Sequence, residues 1–67
     1  MNRETIREFS GRVIGYLEYE SNGDITVRNF YNQILGYYWK RDDTTRDFSM
    51  RILYRGNMAA ALLVLKQ

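Results

Sequence analysis

Apolar residues fall in short runs separated by polar, turn-forming clusters. Val13-Ile14, Tyr16-Leu17, Ile34-Leu35, Tyr37-Tyr38-Trp39 and Ile52-Leu53-Tyr54 alternate with Ser10-Gly11, Glu20-Ser21-Asn22-Gly23-Asp24 and Lys40-Arg41-Asp42-Asp43-Thr44. Runs of β-branched and aromatic residues bounded by such clusters read as strands. The pattern predicts about six short strands, at roughly 4–9, 12–19, 25–30, 33–40, 44–48 and 51–55. At Gly56-Asn57 the character changes. Asn57 suits a helix N-cap and Met58-Ala59-Ala60-Ala61-Leu62-Leu63-Val64-Leu65 is rich in helix formers, which predicts one helix of about three turns over about 57–66.

The strand runs belong to an internal repeat. Arg7-Glu8-Phe9-Ser10-Gly11-Arg12-Val13-Ile14-Gly15-Tyr16 aligns with Arg28-Asn29-Phe30-Tyr31-Asn32-Gln33-Ile34-Leu35-Gly36-Tyr37 and with Arg46-Asp47-Phe48-Ser49-Met50-Arg51-Ile52-Leu53-Tyr54-Arg55. Each unit reads as a β-hairpin whose first strand ends in Arg-x-Phe, at about 4–20, 25–40 and 44–55. Gly11 and Asn32 tolerate the positive φ of a tight turn, whereas Met50 suits it poorly. The expected fold is mainly β with one helix: an antiparallel meander of three hairpin repeats followed by a C-terminal α-helix, in one domain spanning 1–67.

Strict alternation puts Val13, Gly15, Leu17 and Tyr19 on one face and Ile14, Tyr16 and Glu18 on the other. It likewise separates Ile34, Gly36 and Tyr38 from Leu35, Tyr37 and Trp39, and Ile52 and Tyr54 from Leu53. Both faces then look apolar. Six strands span about 24 Å and one helix about 10 to 12 Å, so one helix cannot cover both. The helix is also apolar all round, which predicts burial on all sides. A homo-oligomer, with a twofold dimer favoured, is the expected remedy, and Met58, Leu62, Leu63 and Leu65 are its expected contacts. Strong twist or barrel-like curling is the alternative.

Composition narrows the chemistry. The chain has 67 residues with no Cys, His or Pro, so disulfides, His- or Cys-ligated metal and His- or Cys-based nucleophilic catalysis are excluded. A chain of this size buries only roughly 60% of its unfolded surface, which makes solitary folding marginal. The net charge of +2 is too small to mark a dedicated nucleic-acid binder. No apolar run is long enough to span a bilayer and Met1 to Ile6 lack a signal-peptide core, so no membrane partner and a cytoplasmic location are expected.

Arg7, Arg28 and Arg46 recur at one repeat position, each two residues before a Phe and so expected on its face. Such a ladder could bind phosphates and stack on bases, or pair internally with Glu8, Glu18, Glu20 or Asp47 over a Tyr ring. Tyr16, Tyr37, Tyr38, Trp39 and Tyr54 offer either an interaction surface or cross-strand packing. Asp42-Asp43 with Asp24 reads as solvated turn chemistry rather than a metal site. With no nucleophile and base, no phosphate loop and no paired carboxylates, neither an enzyme nor a cofactor is expected.

The repeat resembles a group of short, uncharacterised bacterial and phage-associated proteins built from Arg-Asp-Phe-x-Gly-Arg-Ile-x-Gly-Tyr units, ending in Gly-Asn and an apolar tail. The resemblance runs from about Arg7 to the C-terminus and departs at Met50 and Tyr54, where Gly is usual. It implies the hairpin fold and carries no activity. The resulting expectation is a small non-enzymatic protein-interaction module, such as a phage or mobile-element inhibitor of a host protein. A nucleic-acid or nucleotide binder using Arg7, Arg28, Arg46 and the aromatics is the alternative, and an assembly subunit pairing through edge strands is a third.

Overall fold

The computed structural model describes residues 2–65, apart from the side chain of Leu65. Six strands, β1 (Asn2–Arg7), β2 (Val13–Tyr19), β3 (Ile25–Asn29), β4 (Ile34–Trp39), β5 (Thr44–Asp47) and β6 (Ile52–Arg55), form one antiparallel sheet in chain order. The helix α1 (Ala59–Leu65) follows and packs on β2, β3 and β4; it starts two residues later than expected, and the expected end near 66 lies outside the described residues.

One loop geometry serves all five turns. In the first hairpin the Gly11 N–H donates to the Glu8 carbonyl at 2.8 Å and the Glu8 N–H to the Arg12 carbonyl at 2.9 Å. Asn32 and Met50 repeat the first bond, to Asn29 at 2.9 Å and Asp47 at 3.0 Å, and Gly23 and Asp43 repeat it between the units. These are three-residue loops whose last residue is left-handed, as Gly11 (φ 95), Gly23 (φ 98), Asn32 (φ 70), Asp43 (φ 55) and Met50 (φ 73) all are. Met50 thus takes the turn conformation of its repeat partners despite carrying a side chain.

A β-bulge recurs in each repeat and corrects the expected face assignment. Ile6 faces Gly15 but Arg7 faces Val13; Val27 faces Gly36 but Arg28 faces Ile34; Thr45 faces Tyr54 but Arg46 faces Ile52. The residues passed over, Ile14, Leu35 and Leu53, all pack against the buried core. An extra residue in one strand resets the alternation beyond it. Val13, Ile34 and Ile52 therefore share a face with Arg7, Arg28 and Arg46 instead of with the core.

After this correction the sheet is amphipathic. Its helix side carries Leu17, Ile25, Val27 and Tyr38, buried with Ala59, Leu62 and Leu63 of the α1 segment. Its open side carries the cross-strand row Arg3, Glu18, Thr26, Tyr37, Arg46, Ile52 and the row Thr5, Tyr16, Arg28, Ile34. The bulge moves Ile14, Leu35 and Leu53 off the open side, which keeps Val13, Ile34 and Ile52 with Tyr16, Tyr37 and Trp39 among its arginines.

Gly15 and Gly36 let the helix sit close. A Cβ on Gly15 would collide with Leu63 Cδ2 and the Arg28 carbonyl, and one on Gly36 would meet Leu62 Cδ1 at 2.8 Å as well as the Arg46 carbonyl. Tyr54 takes the equivalent place on β6, which is not among the strands under α1. Thr45, 0% exposed, fixes the helix start, because its hydroxyl donates to the Gly56 carbonyl (2.7 Å) and accepts from the Met58 N–H (2.9 Å). Asn57 Oδ1 accepts from the Ala59 N–H at 3.1 Å, as an N-cap should.

Candidate functional site

The three repeat arginines share one local task. Arg7, Arg28 and Arg46 each donate from Nη1 to the carbonyl of the left-handed turn residue four positions on, Gly11 (2.8 Å), Asn32 (2.9 Å) and Met50 (3.2 Å). Arg28 also pairs with Glu18 at 2.9 Å, and Arg46 with Asp42 at 2.7 Å. Asp47 instead accepts from the Ser49 and Arg51 N–H groups and lies 3.6 Å from the Arg51 guanidinium. The bonds from Arg28 and Arg3 hold the Glu18 carboxyl below its ordinary range. Asp47 is held low first by the Arg51 N–H and also by Ser49, and Asp42 first by the Thr44 hydroxyl, then by Arg46.

Tyr37, Tyr38 and Trp39 do not form one edge. Tyr38 points under the helix, 9% exposed, and its hydroxyl donates to Asp43 at 2.7 Å, a bond that raises its pKa above the ordinary phenol value. Tyr16, Tyr37 and Trp39 belong to the opposite, open side. There the Arg3 guanidinium lies over Tyr16 at 4.6 Å, and those of Arg41 and Arg46 lie over Trp39 at 4.3 and 4.4 Å.

The helix is not buried on all sides, since Val64 is 73% exposed, and among the exposed apolar groups are several on the hairpin turns that were not singled out from the chain pattern. Phe9, Phe30 and Phe48 are not strand ends beside the arginines; each occupies the first loop position of its hairpin turn. Their exposures are 109%, 52% and 70%, and Tyr31 and Met50 on the same turns reach 73% and 41%. The three turns join β1 to β2, β3 to β4 and β5 to β6, so they lie at one end of the sheet, spaced by about two strand separations or 9–10 Å. Arg12 and Arg51, with side chains 75% and 78% exposed, flank the outer two tips. A depression of about 270 Å³ lined by Arg12, Val13, Ile14, Phe30 and Tyr31 separates the first tip from the second. The signal was in the repeat itself: a Phe two residues before each left-handed turn position belongs to the loop.

Of the residues expected to mediate self-association, Leu62 and Leu63 lie at 0% exposure in the chain's own core. Met58 is 43% exposed, and the Leu65 side chain lies outside the described residues. Among the described residues, no group of three or more Asp or Glu side chains is placed to hold a metal, and no helix is long and apolar enough to cross a membrane. Comparison of the chain with protein-family models, curated proteins and solved structures finds no match.

Proposed function

We propose that the protein is a small non-enzymatic interaction module that binds a partner protein through the aromatic tips of its three hairpin turns. The observation that carries this reading is the row Phe9, Phe30, Phe48, exposed at equivalent positions on one end of the sheet. Fully burying a Phe is worth about 1.5–3 kcal/mol, and the chain itself leaves Phe9 and Phe48 largely exposed and covers about half of Phe30, which packs on Tyr31. Large rings with few rotatable bonds concentrate binding energy at protein interfaces. Met50 adds to the case: a side chain held in the left-handed region costs stability, and there it displays another apolar group beside Phe48. The resemblance to phage-associated chains points to a bacterial host protein as the one masked.

The test compares the wild type with Phe9→Ser/Phe30→Ser/Phe48→Ser as baits in a bacterial lysate. Proteins retained by the wild type and lost by the equally folded variant are the expected outcome. Identical retention by both baits contradicts the proposal.

A further inference from the structure

The open side of the sheet segregates charge. Arg3, Arg7, Arg28, Arg46 and Arg55, all the arginines of the described strands, stand on it by register, with Glu18 as the one strand acid there among the described residues. The other strand acids, Glu4 and Asp47, lie in the helix-side row with Leu17, Val27 and Gly36. Glu18 pairs with Arg3 and Arg28, and the loop residue Asp42 with Arg46, which leaves Arg7, Arg55 and the loop residue Arg41 without a carboxylate partner among the described residues, so a chain whose net charge is only +2 presents a net basic surface on this face. No helix covers it, since α1 packs on the opposite side.

The same face carries the rings of Tyr16, Tyr37 and Trp39, and three guanidinium groups lie over two of them. Aromatic rings and guanidinium planes are the surfaces on which unpaired bases stack, and arginines beside them neutralise the backbone. Thr5 and Thr26 add hydroxyl donors of the kind that contact phosphate and sugar. Such a face can receive bases splayed from a single strand, whereas the bases of a duplex are stacked on one another and do not offer their faces to it.

We infer that this open face binds single-stranded nucleic acid, with the exposed Arg41 guanidinium over Trp39 as a stacking platform and Arg7, Arg41 and Arg55 as phosphate contacts. This surface is separate from the turn-tip row, so the two readings stand or fall independently.

Trp39 is the only tryptophan of the chain, which gives the site a native probe. The experiment titrates the full chain with oligothymidylate and oligouridylate of about twelve nucleotides. It follows tryptophan fluorescence at two salt concentrations, with inorganic polyphosphate and a DNA duplex as competitors. The expected result is quenching by at least one oligonucleotide, with affinity falling about 20-fold between 50 and 200 mM salt if three phosphates are contacted. Arg41→Gln/Arg55→Gln, both exposed and outside the core, should keep the thermal midpoint and reduce the salt slope by about 1.4. Phe9→Ser/Phe30→Ser/Phe48→Ser should bind the oligonucleotide as the wild type does. Absence of quenching at 50 mM salt overturns the inference, as does quenching unaltered in the arginine variant. Polyphosphate or duplex competing as well as the single strand, or binding lost in the phenylalanine variant, also overturns it.

Discussion

Met50 holds a position that Gly11 and Asn32 hold in the other repeats, with φ 73. Left-handed backbone is unfavourable for a side chain of this kind, so Met50→Gly should stabilise the chain by about 0.5–1 kcal/mol, read from urea unfolding. A loss of stability would mean that the exposed Met50 side chain supports the fold. Thr45 is the opposite case, since its buried hydroxyl serves both Gly56 and Met58. Thr45→Val leaves both backbone groups short of a partner and should cost about 1–3 kcal/mol, whereas Thr45→Ser should cost less. Asp47 links the turn to pH. The N–H of Arg51, with Ser49, lowers its pKa, so its stabilisation is present above the unfolded value of about 4 and is lost as the pH falls through the depressed native value. Asn29 accepts the same two backbone bonds in the second repeat. Asp47→Asn should therefore keep the fold at neutral pH and flatten the decline in stability below about pH 4; an unchanged decline would place the acid sensitivity elsewhere.

At the scale of elements, the strand order, the hairpins and the helix start were legible because turn chemistry and β-branched runs are local signals. The faces were not. A period of two assumes an unbroken ladder, and a single bulge per repeat moves Ile14, Leu35 and Leu53 to the core and Val13, Ile34 and Ile52 away from it. Nothing in Val13-Ile14 alone tells which of the two adjacent apolar residues will be passed over. The glycines carried a clue, since Gly15 and Gly36 recur where the helix presses on the sheet and Tyr54 replaces them on β6. Gly15→Ala and Gly36→Ala should each destabilise by about 1–3 kcal/mol, because the added carbon meets backbone as well as Leu63 or Leu62. A neutral effect of both would show that the helix is not seated as described. The recurring arginines were legible as a set, but their shared bond to the turn carbonyl depends on backbone geometry that a spacing of residues does not encode.

For the whole molecule, the bulges separate an apolar side closed by α1 from a basic, aromatic side, and the turns place a third surface at one end. Net charge and overall hydrophobicity average over all three, which is why +2 looked uninformative while five strand arginines shared one face. The central claim is that Phe9, Phe30 and Phe48 are displayed outside the fold, available to a partner. Equilibrium urea unfolding of Phe9→Ser/Phe30→Ser/Phe48→Ser tests the first part of it most directly. Surface substitutions change stability by no more than about 0.5 kcal/mol each, so the expected variant unfolds within about 1.5 kcal/mol of the wild type. Truncating a core Phe costs about 3–5 kcal/mol, and a loss of that size for even one of the three would contradict the claim.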